Sequence, residues 1–281
     1  MKSIGFIDYY ISEWHADNYP AWIKEQSAKM GFDYQVQYAW AKKDISEYNG
    51  KTTDEWCKEF NIEKCLTTKE LCEKSDNIII LAPSNPEQHL SLVKETFPYA
   101  KGKRIYIDKT FAPDLEIAKE IYQLAKKYDI QFFSTSALRY ADEIKDFANC
   151  DSATIMGGGS NFEEYIIHQV EMIIKTMGVN LSRVQTVDTK DGNLCTVEFD
   201  DGRIAKMNYS PDFGFSISLA KNEKTSDFNI KSNFFMTLMK KILLFFERGE
   251  IDFSKEQTLA VMALREGAIK SKNNNGKWIE L

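Results

Sequence analysis

Strand-like and helix-like patterns alternate along the first half of the chain, and this alternation constrains the fold more than any other feature. The apolar runs SIGFID (3–8), DNIIILA (76–82) and RIYID (104–108) are typical of buried strands. Amphipathic helical patterns follow such runs, as in DLEIAKEIYQLAKKY (114–128). A helix between successive strands favours parallel pairing, because the chain must cross over before it re-enters the sheet. The pattern therefore predicts a doubly wound parallel sheet over residues 1–137.

The second half of the chain has a different pattern. A helix is predicted over 161–177, and several short strand-like runs with turn signals come after it. The dipeptide Asp191-Gly192 is typical of a hairpin turn, so neighbouring strands are expected to pair antiparallel. We therefore expect residues 138–281 to form a second domain, a mostly antiparallel sheet with helices, which includes the C-terminal helix 255–271.

Composition and charge exclude several classes of protein. The chain has 281 residues and a formal net charge of −6 without a basic block, so we expect no nucleic-acid partner. The longest apolar runs, IIILA (78–82) and ILLFF (242–246), are too short to cross a bilayer, and the N-terminus lacks the apolar segment of a signal peptide. Five cysteines without a C-x-x-C spacing suit reduced thiols. We therefore expect a cytoplasmic protein with neither a membrane partner nor a metal.

Polar and turn residues follow three of the predicted parallel strands, at 8–12, 82–86 and 108–111. Ligands of open α/β sheets bind at the carboxyl ends of strands, so these segments are candidate binding loops. Lys109 lies directly at one strand end. A partly buried lysine can exchange a proton with a substrate hydroxyl. The alternative, which composition alone favours, is a lysine that reaches solvent.

The predicted helix 161–177 carries a second candidate group. Glu164, His168, Glu171 and Lys175 fall on one narrow stripe of the helix, apart from its broad apolar face. A carboxylate beside an imidazole raises the imidazole pKa and fixes the orientation of the ring. The stripe is equally well explained as a solvated charged face with an ordinary Glu171–Lys175 pair. The sequence pattern leaves both interpretations open.

Several segments together resemble the Gfo/Idh/MocA-type oxidoreductases, a group of nicotinamide-dependent sugar and inositol dehydrogenases. SDNIIILAPSNPEQHL (75–90) is similar to the family's DaVxIxTPnxxH, and IDKTFA (107–112) is similar to its strand end with EKP. Glu164-x-x-x-His168-x-x-Glu171 is similar to its D-x-x-x-H-x-x-D motif. The last helix and strand are also similar, so the resemblance covers nearly the whole chain. It implies that the first domain is of the Rossmann type.

The resemblance implies hydride transfer between NAD or NADP and a sugar, cyclitol or related polyhydroxylated small molecule. Lys109, His168 and Glu164 would be catalytic, with Lys109 and His168 managing the hydroxyl proton and Glu164 standing where an aspartate is usual. These three residues and Arg139 would bind the substrate. A homo-oligomer formed through the C-terminal sheet is also expected. The residues implied to contact the cofactor are Ile7, Asp8, Tyr9, Tyr10, Trp40, Ala82, Pro83, Ser84, Asn85, His89, Asp108 and Lys109.

The first strand-to-helix turn departs from the family. The turn from Asp8 to about Glu13 has no glycine, whereas the family's glycines let the backbone approach a pyrophosphate. The helix that follows still offers backbone N–H groups and its positive dipole end to an anion. Either the turn still accepts a dinucleotide, or it survives as scaffold in a non-catalytic sugar- or nucleotide-sensing or structural descendant. Asp108-Lys109-Thr110 also lacks the family's proline.

Overall fold

A computed structural model describes all residues, Met1–Leu281, and divides the chain into two compact units. Unit 1 comprises Met1–Thr135 and Leu238–Asp252, and unit 2 comprises Ser136–Thr237 and Phe253–Leu281. The change of unit at 135/136 lies close to the expected boundary at 137/138. The segment Leu238–Asp252 differs from the expectation, because it belongs to unit 1 although both of its flanks belong to unit 2.

Unit 1 contains a six-stranded parallel sheet in the order β3-β2-β1-β4-β5-β6, with helices between consecutive strands. The predicted doubly wound parallel sheet is confirmed. Its elements are β1 (Lys2–Asp8), α1 (Trp14–Lys29), β2 (Tyr34–Ala41), α2 (Thr53–Phe60), β3 (Glu63–Lys64), α3 (Thr68–Lys74), β4 (Asn77–Ile80), α4 (His89–Thr96), β5 (Arg104–Ile107), α5 (Leu115–Tyr128) and β6 (Gln131–Phe133).

Unit 2 contains a seven-stranded sheet in the order β12-β11-β7-β10-β9-β8-β13. Only the β7–β10 pair is parallel, so the expected mostly antiparallel sheet is confirmed. Helix α6 packs against β7, and α8 packs against β8. Its elements are β7 (Ser152–Gly157), α6 (Phe162–Met177), β8 (Leu181–Thr189), β9 (Gly192–Phe199), β10 (Ile204–Tyr209), β11 (Ser216–Lys221), β12 (Lys224–Asn229), α8 (Lys255–Asn273) and β13 (Ile279–Glu280).

Helix α7 (Phe234–Arg248) explains why a late segment belongs to unit 1. The guanidinium of Arg104 donates to the carbonyl of Phe246 at 2.6 Å, at the start of β5. The Glu247 carboxylate accepts from Tyr34 Oη at 2.9 Å and from Lys2 Nζ at 2.6 Å. These bonds join α7 to three strands of the parallel sheet. Such long-range contacts leave no periodic signal in the sequence.

The structure shows the state of the cysteines and the character of the apolar helices. All five cysteines are free thiols in buried positions. None of the helices combines the length and the apolar character that a bilayer crossing requires.

We predict that Gly158→Ala destabilises unit 2 by at least about 2 kcal/mol, since a Cβ at this position would clash with backbone that cannot move away easily. That Cβ would lie 1.9 Å from the carbonyl oxygen of Ser210. Gly214→Ala is the matched control, because nothing lies within 4 Å of a Cβ there. Chemical denaturation would compare the two variants. Equal stabilities would contradict the close packing inferred at Gly158.

Candidate functional site

His168 is held by a hydrogen bond inside unit 2. The residue lies in α6, and its Nδ1 is 2.6 Å from the hydroxyl oxygen of Ser136. Ser136 opens a short 3₁₀ helix, Ala137–Tyr140, and also accepts the Leu138 N–H at 3.3 Å. The serine is therefore fixed by its own backbone, and it fixes the orientation of the imidazole. No sequence pattern links Ser136 to His168, because the two residues lie 32 positions apart in the chain.

Glu171 lies three residues after His168 in α6 and links this helix to the same 3₁₀ helix. Its side chain is 4% exposed and accepts from the Ser136 backbone N–H and from Arg139 Nη1, both at 3.0 Å. Arg139 is also buried and lies over the ring of Phe253 at 4.2 Å. The interpretation of the stripe as a solvated face is therefore wrong for Glu171. Its carboxylate sets the position of Ser136 and so of His168.

Two aromatic rings flank the imidazole. The ring centroids of Tyr165 and Phe215 each lie 5.7 Å from that of His168. Both rings sit where a side chain on the neighbouring glycines would be. A Cβ on Gly159 would lie 2.0 Å from Tyr165, and one on Gly157 would lie 2.4 Å from Phe215. The run Gly157-Gly158-Gly159 was the only sequence signal for this close approach.

Glu164 lies at the start of α6, one turn before His168. Its Oε2 accepts from Asn161 Nδ2 at 3.1 Å and lies 3.3 Å from Ser160 Oγ. Asn161 in turn caps the helix by accepting the Glu164 N–H at 2.8 Å. The carboxylate is thus part of the helix cap. Its catalytic role stays a prediction.

The second set of candidate residues lies at the carboxyl ends of β1, β4 and β5 in unit 1. Asp108 is buried, and its Oδ1 accepts from the hydroxyls of Tyr106 at 3.0 Å and Tyr19 at 3.3 Å. Lys109 follows it and is 9% exposed, and the Lys109–Thr110 peptide is cis. No ion pair in the molecule uses Lys109. Its ammonium is therefore a buried cation at a strand end that forms no ion pair.

The loop after β4 is held by His89. The ring nitrogens of this fully buried histidine approach the carbonyl oxygens of Leu81 and of Phe111, the latter at 3.1 Å. Burial lowers the pKa of His89, so the neutral ring donates to one of these carbonyls. The histidine thereby joins the loops that follow β4 and β5. Its expected contact with a cofactor stays a prediction.

The other cofactor candidates are divided between core and surface. Ile7 is fully buried, and Ala82 has a left-handed backbone with φ of 68°. Pro83 is buried, Trp40 and Asn85 are half-buried, and Ser84 is exposed. Lys42 and Lys43, whose charge would suit a 2′-phosphate, form ion pairs with glutamates at the surface. None of these positions alone distinguishes NAD from NADP.

The glycine-free turn after β1 is tied down by hydrogen bonds from the segment after β2. The Lys43 N–H donates to the Tyr9 carbonyl at 2.7 Å. The Ser46 hydroxyl donates to the carbonyl of Ser12, and Asn49 Nδ2 donates to the Ser12 hydroxyl at 2.9 Å. Tyr10 is half-buried beside Tyr9. Hydrogen bonds from neighbouring residues therefore hold the turn. A dinucleotide fold ordinarily has glycines at this position.

Glu13 lies directly before α1, at the helix N-terminus, where an anion is expected to bind. Its carboxylate accepts the backbone N–H of His15 at 2.8 Å and that of Ala16 at 2.6 Å. The His15 ring lies between Glu13, at 3.2 Å, and Asp108, at 3.8 Å. Glutamate is not a preferred capping residue, so no sequence pattern predicts this bond.

A second carboxylate adds to the unfavourable setting for a phosphate. Asp8 is 1% exposed, and its Oδ2 has no hydrogen-bond partner. Burial, and then the negative charge of Glu13, raise the pKa of Asp8 well above its usual value, although N–H groups of Tyr9 and Ala82 oppose the shift. A pyrophosphate therefore does not fit this turn in the usual way. Glu13 already holds the N–H groups of His15 and Ala16, which a phosphate would need.

No group of three or more His, Cys, Asp and Glu side chains is arranged to hold a metal ion. The two sets of candidate residues contribute an oriented imidazole in unit 2 and a buried ammonium at a strand end in unit 1.

Solved structures share this fold over essentially the whole chain. Scyllo-inositol dehydrogenase from Lactobacillus casei, with bound NAD(H) and scyllo-inositol, is 10% identical, with a TM-score of 0.74 over 99% of this chain and 98% of its own. UDP-N-acetylglucosamine 3-dehydrogenase GnnA from Acidithiobacillus ferrooxidans is 11% identical, with a TM-score of 0.76 over 97% of this chain and 98% of its own. GenD2 from gentamicin A biosynthesis, in complex with NAD, is 11% identical, with a TM-score of 0.76 over 100% and 97%. Neither a family model nor a curated protein matches the sequence. At these identities the likeness establishes the fold.

We predict that Asp8→Asn raises the free energy of unfolding near neutral pH. Because the pKa of this carboxyl is higher in the folded protein, its protonated form favours folding at low pH, and that contribution is lost as the pH rises through the folded pKa. Asparagine keeps an acceptor for the Tyr9 N–H and cannot ionise. Urea denaturation at about pH 8 and about pH 4 should show a gain only at the higher pH. An equal effect at both pH values, or the same gain from the exposed control Asp33→Asn, would contradict the assignment.

We predict that Glu171→Gln destabilises the protein by about 3 kcal/mol, since it leaves the buried guanidinium of Arg139 without its counter-charge. The matched control is Glu25→Gln, which removes a glutamate from the exposed Lys29–Glu25 pair and should cost less than about 1 kcal/mol. Urea denaturation of both variants measures the difference. Similar costs would show that the buried pair does not hold α6 in place.

Proposed function

We propose that this protein is an oxidoreductase of the Gfo/Idh/MocA type, which interconverts a hydroxyl and a carbonyl on a sugar, a cyclitol or a related polyhydroxylated molecule. The observation that carries the proposal is the oriented imidazole of His168, held by Ser136 and Glu171 on a fold shared with sugar and inositol dehydrogenases. A residue with only a packing role would not need this second layer of support. NAD or NADP is the proposed hydride partner, as in the structures of this fold that contain NAD(H).

In the proposed reaction the protein manages the proton of the reacting hydroxyl. When the alcohol is oxidised, a bound NAD or NADP would take the hydride from the carbon while the hydroxyl proton passes to a base, and both would return in the reverse reaction. His168 is the proposed base, because Ser136 already holds its ring in one orientation. The ammonium of Lys109 is proposed to bind the substrate oxygen and stabilise its developing charge. The pyrophosphate of a dinucleotide does not fit the first turn in the usual way, because Glu13 holds the N–H groups at the start of α1.

The remaining residues of the proposed site have supporting roles. Arg139 and Glu171 form a buried pair, which favours positioning of Ser136 as the main role of Arg139. The half-buried carboxylate of Glu164 lies on the same stripe of α6 as His168, and we retain it as a substrate contact. The strand-end residues from Asp8 to Tyr10 and from Ala82 to Asn85 remain proposed neighbours of the cofactor.

We also propose a cytoplasmic homo-oligomer formed through the sheet of unit 2, with a small molecule as its partner. Strands β7 and β10 alternate buried side chains with accessible ones, and the accessible set includes the apolar Met156 and Ile204. A face of this kind suits burial against a second copy of the chain. Light scattering would measure the mass in solution, and a monomer would contradict this part of the proposal.

A non-catalytic sugar-binding descendant of the same fold is the second candidate. The specific observation in its favour is the Glu13 carboxylate at the end of α1 where a phosphate would bind. The oriented His168 and the buried strand-end ammonium of Lys109 favour the oxidoreductase, because a binding module has little use for both.

We predict that Lys109→Ala and His168→Ala each lower turnover of a polyol substrate by about 10²-fold or more, the usual loss when a positioned acid or base is removed. Dinucleotide binding, measured by calorimetry, should change little in His168→Ala. Lys29→Ala is the control, because that lysine lies on the exposed surface of α1. Unchanged turnover in either variant would overturn its catalytic role.

Ser136→Ala tests the positioning role separately. It should lower kcat and move the pH profile of kcat/KM, since the hydrogen bond to His168 Nδ1 is lost. A lower kcat with an unchanged pH profile would indicate a purely structural role for the serine.

A further inference from the structure

The N-terminus of α1 has the position of a phosphate-binding site in this fold, but the residues of this chain do not leave it open to a phosphate. A helix begins with backbone N–H groups that have no partner within the helix, and in a dinucleotide fold these groups bind phosphate. Here two of them, on His15 and Ala16, donate to the two oxygens of one carboxylate, at 2.8 and 2.6 Å. That carboxylate belongs to Glu13, the residue immediately before the helix.

The arrangement has the features of an occupied anion site. The glutamate is 7% exposed, and each of its oxygens receives one N–H of the helix, as two oxygens of a phosphate would. The His15 ring, within 3.2 Å of the same carboxylate, adds a further polar contact. The helix dipole favours a negative charge at this position, so the charge that a ligand would bring is already present.

Asp8 provides an independent indication that no second anion is accommodated. Its carboxylate is buried at the end of β1, and Oδ2 lacks a hydrogen-bond donor. Burial, and then the negative charge of Glu13, raise the pKa of Asp8, so this turn already disfavours a further negative charge. The hydrogen bonds from Ser46 and Asn49 to Ser12 hold the intervening turn in place.

We propose that Glu13 is a built-in anion that fills the phosphate-binding end of α1, so that a dinucleotide is bound without this helix end. Removal of the carboxylate opens the N–H groups of His15 and Ala16 to a pyrophosphate. The inference deepens the proposed function and rests on it only for the identity of the natural ligand.

Two variants of Glu13 test the proposal. Glu13→Gln removes the charge and keeps the size of the side chain, while Glu13→Ser also removes bulk and supplies a preferred helix cap. Each leaves at least one of the two N–H groups to a ligand. Asp114→Asn is the matched control, because Asp114 caps α5 of the same unit by accepting the Ile117 N–H, and asparagine caps equally well. The control removes the same charge from a different helix end.

Calorimetric titrations would use NADH and inorganic pyrophosphate as probes, with thermal melting to show that each variant is folded. We expect both Glu13 variants to bind the two probes about tenfold more tightly than the wild type, since charge repulsion is removed and a charge-assisted hydrogen bond is gained. Asp114→Asn should bind like the wild type. Equal affinities in all four proteins, or no binding of either probe to a folded Glu13 variant, would overturn the proposal.

The pyrophosphate titration separates this inference from the proposed function. If the Glu13 variants gain affinity for pyrophosphate and NADH but no protein oxidises a polyol, the inference stands and the proposed function fails. If polyols are oxidised and the Glu13 variants gain no affinity, the proposed function stands and the inference fails.

Discussion

A carboxylate that is removed from water must be given hydrogen-bond donors, and each unit of this protein is organised around one that meets this requirement. In unit 1, Glu13 accepts two backbone N–H groups of α1. In unit 2, Glu171 accepts the Ser136 N–H and the Arg139 guanidinium. The first bond pair determines what the end of the parallel sheet can bind, and the second determines the orientation of the imidazole that we propose as acid and base.

The two units therefore differ in how well they suit the proposed dehydrogenase activity. Unit 2 has a supported histidine between two aromatic rings, close to glycines that allow the approach. Unit 1 has the strand order and a lysine at the end of β5, but its first turn is closed by its own side chains. If the protein binds NAD or NADP, the contacts must come from the other strand ends. The fold does not require a phosphate there, because Glu13 already satisfies the N–H groups at the start of α1.

The sequence predicted the parts of the fold that depend on local periodicity. The alternating strands and helices of unit 1 and the helix that carries His168 were found because their apolar faces repeat every two or every 3.6 residues. The position of α7 in unit 1 was not found, since it depends on contacts of Arg104 and Tyr34 with residues more than a hundred positions away. Ser136 was missed for the same reason. Glu13 was missed because only the folded turn shows that its longer side chain reaches back to the helix.

The central claim is that the N–H groups of His15 and Ala16 are held by Glu13 and are not available to a dinucleotide. A two-dimensional amide NMR titration with NADH tests it directly, since both signals report on the hydrogen bonds of those groups. We predict that the two signals stay in place when NADH is added to the wild type and that at least one of them moves when it is added to Glu13→Ser. Movement of both signals in the wild type, as large as in the variant, would contradict the account.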